Sequence, residues 1–165
     1  MFDGCARVEF VCEECLVSGM LADLDVRTNE GDMSALHEQL QEKIPELVEA
    51  EIEMLVKQRT AELEHRTPHL ITWQDFFWPA HCGVYCCFIK EVGKVDLNEL
   101  APDGDGRAYL SAHLHGDLID STDTSSIWEE IRPDSLKDNS DAYAIGVYLF
   151  RCLICGAYTI LWDSQ

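Results

Sequence analysis

Four of the eight cysteines form two Cys-x-x-Cys pairs, Cys12/Cys15 and Cys152/Cys155. A two-residue spacer lets both thiolates of a pair reach the same metal ion. The second pair lies between two predicted strands and is followed by Gly156, an arrangement typical of a zinc knuckle. Four thiolates complete a tetrahedral zinc site and leave no open position for a substrate. The two pairs together therefore predict one structural zinc site.

Two other interpretations of these pairs stay open. One or both pairs can be ordinary reduced thiols, which are among the most buried side chains in proteins. A pair can also be a redox dithiol, although neither lies at the strand-to-helix junction of a βαβ unit and no lysine flanks either one. Glu13 and Glu14 lie between Cys12 and Cys15, and their charges are expected to raise the thiol pKa.

A second cluster of possible ligands comprises His81, Cys82 and Cys86, followed directly by Cys87. Successive side chains of a strand point to opposite faces, so Cys86 and Cys87 cannot both face one ion. Three interpretations stay open: buried thiols of the core, partial zinc ligation, and a Cys–His nucleophile pair.

Catalytic signatures are missing from the sequence. It contains no phosphate-binding glycine loop, no G-x-S-x-G and no H-E-x-x-H. We therefore predict no catalytic residues and a protein that is not an enzyme. A zinc-binding enzyme or zinc-ribbon adaptor that uses His81, Cys82 and Cys86 is the alternative.

The charge restricts the possible partners. In 165 residues, 31 Asp and Glu face 12 Lys and Arg, which gives a formal net charge of −19. Phosphate contacts need Lys or Arg, so binding to nucleic acid or to an anionic membrane is disfavoured. A protein with a basic surface is favoured, because complementary charge speeds encounter and selects against wrong partners.

The first residues of the sequence and the length of its apolar stretches indicate the cellular compartment. Residues 1–5 lack the basic region and apolar run of a signal peptide, and no stretch reaches the roughly 18–20 apolar residues of a membrane span. We therefore expect a cytoplasmic protein, in which cysteines stay reduced.

Residues 34–65 form the most helical segment. Ser34 can cap a first helix, which Pro45 ends because it disfavours helical geometry at the preceding residue. A second helix is predicted with Pro45 in its first turn, and Thr67-Pro68 ends it. Its predicted inner stripe consists of Val48, Ile52, Leu55, Val56 and Leu63.

Strand patterns occupy residues 84–92, 143–150 and 157–162, and short helices are predicted near 96–100 and 126–131. The fold class is α+β: a small antiparallel sheet with zinc-ribbon-like Cys-x-x-Cys knuckles, packed against a long acidic helix or helix pair in a single domain of residues 1–165. The predicted core comprises Trp73, Phe77, Trp78, Phe88, Ile89, Tyr148, Phe150, Trp162, Ile52, Leu55 and Val56.

Three segments resemble the CbrC-like colicin tolerance family and together cover about half of the chain. The segments begin at Val11, Arg66 and Tyr148. The matching residues are Val11-Cys12-Glu13-Glu14-Cys15-Leu16-Val17-Ser18-Gly19, Arg66-Thr67-Pro68, Trp73-Gln74, Trp78, His81-Cys82-Gly83, Cys86, Phe88, Val92-Gly93, Tyr148-Leu149-Phe150-Arg151-Cys152-Leu153-Ile154-Cys155-Gly156 and Trp162-Asp163. Members of that family typically carry another Cys-x-x-Cys upstream, which this shortened chain lacks. The resemblance implies a zinc site completed by pairing Cys12/Cys15 with Cys152/Cys155.

The resemblance also implies a bacterial protein associated with resistance to a toxic bacteriocin. Joined to the charge, it predicts an immunity protein that binds and neutralises a competition toxin, with a basic nuclease as the expected partner. An acidic surface suits this role, because a nuclease carries a positive groove for its substrate. The predicted contact residues are Glu49, Glu53, Glu64, Asp117, Asp120, Asp123 and Trp128.

Overall fold

The computed structural model describes residues 10–29, 34–70, 72, 77–115, 124–134 and 144–164. Its elements are α1 (Glu13–Ser18), α2 (Met20–Asp23), α3 (Ala35–Lys43), α4 (Glu49–Arg66), β1 (Ala80–His81), β2 (Val84–Tyr85), β3 (Cys87–Glu91), α5 (Lys94–Leu100), α6 (Gly106–His113), α7 (Thr124–Glu130), β4 (Ile145–Arg151) and β5 (Tyr158–Ser164). Helices accompany small antiparallel sheets, which confirms the α+β class.

The chain divides into two compact units, residues 1–71 with 75–85 and residues 72–74 with 86–165. The single domain expected from the sequence stays a prediction, because compact units of this kind fold either together or separately.

The first unit contains the acidic helix pair. Leu36 and Leu40 of α3 and Ile52 of α4 are buried against one another, and Ala80 and Tyr85 of the β1–β2 hairpin pack on them. The helix pair and a two-stranded antiparallel hairpin thus share one apolar cluster.

Pro45 separates the two helices, as predicted, but the second helix begins later than expected. Ile44 has φ −132° and ψ 68°, outside the helical region, and α4 starts only at Glu49. The backbone N–H of Val48 donates to the carboxylate of Glu51 at 3.0 Å, so the N-terminus of α4 is fixed there. Val48 is exposed and does not join the buried stripe, which contains Ile52 and Leu63.

Two buried polar residues hold the C-terminal end of α4. The Thr28 backbone N–H donates to the Glu64 carbonyl at 2.7 Å, and the Asn29 side-chain amide donates to the Pro68 carbonyl at 3.0 Å. The Asn29 side-chain oxygen in turn accepts from the Leu70 N–H at 3.0 Å. Because α4 ends at Arg66, the Glu64 carbonyl is one of the groups that a helix end leaves without partners, and the Asn29 bonds hold the segment just after the helix.

The second unit contains a three-stranded antiparallel sheet of order β3–β4–β5. Residues 145–150 of the central strand β4 are buried throughout. Val147 and Leu149 on one face pack with Ile160 and with residues of α5, α6 and α7. The apolar core of this unit therefore lies between one face of the sheet and three helices.

The residues predicted for the core have different outcomes. Trp78, Tyr148 and Phe150 are buried, as predicted. Ile89 is 45% exposed and does not belong to the core. Trp73 lies outside the described residues.

Gly106, the first residue of α6, allows a close approach between helices α5 and α6. A Cβ there would lie 2.6 Å from the backbone nitrogen of Asn98, which is shorter than real Cβ contacts. We expect Gly106→Ala to destabilise the protein by about 1–3 kcal/mol, through overpacking. Urea unfolding measures this change.

The matched control is Ser111→Ala, at an exposed position of the same helix. Alanine is the better helix former, so this variant should unfold at an equal or slightly higher urea concentration. Equal midpoints for Gly106→Ala and the wild-type protein would show that the two helices do not need this close approach.

Candidate metal centre

The turn between β4 and β5 presents Cys152 and Cys155. The Cys152 N–H donates to the Ala157 carbonyl at 2.8 Å, and the Gly156 N–H donates to the Cys152 carbonyl at 3.0 Å. Gly156 has φ +76°, a conformation that favours glycine. The turn buries Cys152 and leaves Cys155 exposed, and the zinc knuckle predicted for this pair stays a prediction.

The turn between β1 and β2 presents His81 and Cys82. His81 pairs with Val84, so Cys82 and Gly83 are the two residues of the turn. Both have positive φ, +54° for Cys82 and +72° for Gly83, as in a type I′ hairpin. The left-handed conformation is unfavourable at a non-glycine residue such as Cys82, and such strain is often found at functional sites.

His81, Cys82, Cys152 and Cys155 are a set of possible metal ligands. One ligand atom from each of His81, Cys82, Cys152 and Cys155 lies within 4.8 Å of all the others. The Cys82 Sγ lies 3.2 Å from the His81 Nδ1. Ligands about 2.0–2.3 Å from a tetrahedral zinc ion are separated by roughly 3.3–3.8 Å.

This group combines two residues from each of the two clusters predicted from the sequence. Cys152 and Cys155 come from the predicted four-cysteine site, and His81 and Cys82 come from the second cluster. Cys12, Cys15 and Cys86 are not members of the group, which is the one set of this kind among the described residues. Cys86, between β2 and β3, is buried, and Cys87, the first residue of β3, is exposed.

Cys12 and Cys15 lie at the start of α1, not in a β-knuckle. The Cys15 N–H donates to the Cys12 Sγ at 3.3 Å. Hydrogen bonds from the Cys15 side chain and backbone lower the pKa of the Cys12 thiol, contrary to the expectation from Glu13 and Glu14. The same side-chain hydrogen bond raises the pKa of Cys15, and the charge of Glu14 adds to this increase, as expected.

Two of the glutamates predicted to bind a partner already have contacts within the chain. The Glu49 carboxylate lies 2.8 Å from the His37 Nε2 and accepts from the Gln41 side chain at 3.2 Å. The hydrogen bond with His37, followed by that with Gln41, lowers the pKa of Glu49. Glu64 is half-buried and lies 3.8 Å from the Arg27 guanidinium. Glu53 is exposed, as a partner-binding residue requires.

The remaining predicted contact residues lie elsewhere. Asp117, Asp120 and Asp123 fall outside the described residues. Trp128 of α7 is partly buried against the core of the second unit, and the Lys94 Nζ lies 5.7 Å from its ring centroid. Trp128 therefore contributes to packing within its unit.

One local signal for the observed group is present in the sequence. The pair Cys82-Gly83 consists of a small residue and a glycine, and it follows an apolar stretch, as a two-residue hairpin turn does. A hairpin turn presents His81 and Cys82 together, whereas the strand assumed for residues 84–92 separates Cys86 from Cys87. Which other cysteines complete the group depends on long-range folding, which spacing does not encode.

Comparison with known proteins identifies a family but no structural relative. A family model described as an uncharacterised protein family, UPF0167, matches residues 1–164. No solved structure matches the chain. In the part of the chain that the structure describes, every helix is too short or too polar to cross a membrane.

Proposed function

The chain belongs to the uncharacterised protein family UPF0167, and from this starting point we propose that it is a zinc-stabilised binding protein that neutralises a basic protein partner. The observation that carries the proposal is the ligand set of the metal centre, one histidine and three cysteines within 4.8 Å of one another.

Zinc is the ion that this ligand set suits best. Three thiolates and one imidazole in a tetrahedral arrangement are typical of structural zinc sites, whereas calcium and magnesium prefer oxygen ligands. Cys82 accepts an unfavourable backbone conformation in a turn, and a metal bond would offset that cost.

A complete set of four ligands supports a role in binding over a role in catalysis. Catalytic zinc sites keep three protein ligands and an open position for water or substrate, and His81, Cys82, Cys152 and Cys155 would fill all four positions. We propose that the metal stabilises the two turns and that recognition belongs to the acidic surface.

The proposed partner is a bacterial competition toxin with a basic surface, and we propose a nuclease. The net charge of −19 favours such a partner and opposes binding to nucleic acid or to an anionic membrane. The CbrC-like resemblance supports an immunity role. The proposal includes a cytoplasmic location, where zinc-binding thiols stay reduced.

The proposed recognition surface consists of exposed acids on different sides of α4 and in the turn before it, defined by Glu46, Glu53 and Glu62. Neutralising all three to glutamine should slow association with a toxin encoded beside the gene by about tenfold at low salt, because these charges would steer the encounter. Stopped-flow association rates over a range of salt concentrations measure this effect.

The matched control neutralises three exposed acids of the second unit, Glu99, Glu129 and Glu130. This control variant changes the net charge by the same amount as the first variant. If its association rate changes by about twofold or less, the slowing seen with the first variant belongs to the acids of the proposed recognition surface. The absence of a nanomolar complex with the toxin would overturn the immunity role. Equal slowing by both triple variants would leave a general charge effect and overturn the assigned surface.

A further inference from the structure

Cys12 and Cys15 form a sulfur pair outside the metal centre. Cys12 precedes the first residue of α1, and Cys15 lies in its first turn. The Cys12 Sγ accepts a hydrogen bond from the Cys15 N–H at 3.3 Å. Cys12 is exposed and Cys15 is partly exposed, so reagents in solution can reach the pair.

The positions of these residues suit a disulfide between them. Residues three apart across the first turn of a helix lie at about the Cα separation of 4.4–6.8 Å that disulfides require. The Cys12 sulfur already lies 3.3 Å from the backbone nitrogen of Cys15, so bond formation needs rotation about the side-chain bonds more than movement of the backbone.

We propose that Cys12 and Cys15 form a redox-active dithiol, in which Cys12 attacks low-molecular-weight disulfides and Cys15 completes an intramolecular disulfide. This inference does not depend on the zinc site or on the toxin partner, because neither cysteine belongs to the metal-ligand group.

The two sulfurs differ in the way that such an exchange requires. Hydrogen bonds from Cys15 lower the pKa of Cys12 and thereby increase its thiolate fraction near neutral pH. The same interaction raises the pKa of Cys15, which keeps its proton until Cys12 has reacted. The exposed member is thus the nucleophile, and the less exposed member resolves the intermediate.

The exchange is balanced in atoms and electrons. The Cys12 thiolate attacks one sulfur of the small disulfide, forms a mixed disulfide and releases the first half as a thiolate. Cys15 then loses its proton to solvent and attacks the Cys12 sulfur, which releases the second half as a thiolate. Two protein thiols are oxidised to one disulfide, and the small disulfide is reduced to two thiols.

Oxidised glutathione is a suitable probe for the zinc-loaded protein. Trypsin is expected to release residues 8–27, in which Cys12 and Cys15 are the cysteines. After treatment, this peptide should lose two hydrogens in mass, and Cys15→Ser should instead retain glutathione on Cys12. The control Cys87→Ser removes an exposed cysteine outside the pair and should form the Cys12–Cys15 disulfide normally.

Alkylation rates test the assigned roles. Near neutral pH, iodoacetamide should modify Cys12 at least about tenfold faster than Cys87, and Cys15→Ala should shift the rise of the Cys12 rate to higher pH. Unchanged zinc content in Cys12→Ser would show that these effects are independent of the metal. Equal rates for Cys12 and Cys87 across roughly pH 6 to 9, or no glutathione adduct in Cys15→Ser, would overturn the proposal.

Discussion

A Cys152→Ser variant is expected to lose its zinc and to melt at least about 10 °C below the wild-type protein. Cys152 is 1% exposed, so serine would replace a metal bond by a hydroxyl buried in the β4–β5 turn. Structural zinc contributes about 10–16 kcal/mol of apparent binding free energy in small zinc-finger peptides. Even a third of that amount corresponds to about 10 °C in a protein of this size.

Metal analysis of the purified proteins and thermal unfolding measure the two effects. The wild-type protein should contain one zinc ion per chain, and Cys82→Ser should lose it as Cys152→Ser does. Cys82 is exposed, so its replacement removes a ligand without placing a polar group in the core. Loss of zinc from both variants would therefore be due to lost ligation and not to a disturbed interior.

Two further variants separate this metal centre from the four-cysteine site expected from the sequence. The double variant Cys12→Ser/Cys15→Ser should keep its zinc, because neither residue belongs to the ligand group. Cys87→Ser should also keep it. Loss of zinc from the double variant with retention in Cys82→Ser would support the four-cysteine site and contradict the ligand set proposed here.

The sequence predicts the helices well because their ends are determined locally. Pro45 restricts the residue before it, and Thr67-Pro68 ends the helix that follows, so both boundaries depend on adjacent residues. The exact start of α4 is different: it depends on the Glu51 carboxylate reaching the Val48 N–H. Several acids near Pro45 could have formed such a cap, so the sequence pattern favours no single start.

The metal centre is only partly predictable for the opposite reason. The Cys152/Cys155 knuckle is local, since Gly156 and the flanking strands determine it. Its partners are His81 and Cys82, about seventy residues earlier, and Cys12 and Cys15 have equally suitable spacing. Spacing identifies residues able to bind a metal, whereas the choice between them depends on tertiary structure.

The polar contacts at the end of α4 were not predicted, because Thr28 and Asn29 are ordinary loop residues in the sequence. Their role follows from burial, since each is 3% exposed. Thr28 donates to the Glu64 carbonyl in the last turn of α4, and Asn29 donates to the Pro68 carbonyl just after the helix. Buried polar groups of this kind are costly to remove, since each partner is then left without a hydrogen bond.

Asn29→Ala should therefore destabilise the protein by about 2–4 kcal/mol, because it leaves the Pro68 carbonyl and the Leu70 N–H without the bonds that Asn29 provides. The free energy of unfolding in urea measures this loss. Thr28→Val is the comparison at an equally buried neighbour. It should cost about 1 kcal/mol, because valine keeps the shape and the Thr28 backbone N–H still donates to the Glu64 carbonyl.

The difference in the free energy of unfolding between Asn29→Ala and Thr28→Val tests the role of the Asn29 hydrogen bonds. The Asn29 side-chain oxygen accepts a hydrogen bond from the Leu70 N–H. If Asn29 connects the segment before α3 to the end of α4, its replacement should therefore also increase amide hydrogen exchange at Leu70. Thr28→Val should leave that amide protected. Equal losses of stability for the two variants, with Leu70 still protected in Asn29→Ala, would assign the stabilisation to burial at this position and contradict a role for the Asn29 hydrogen bonds.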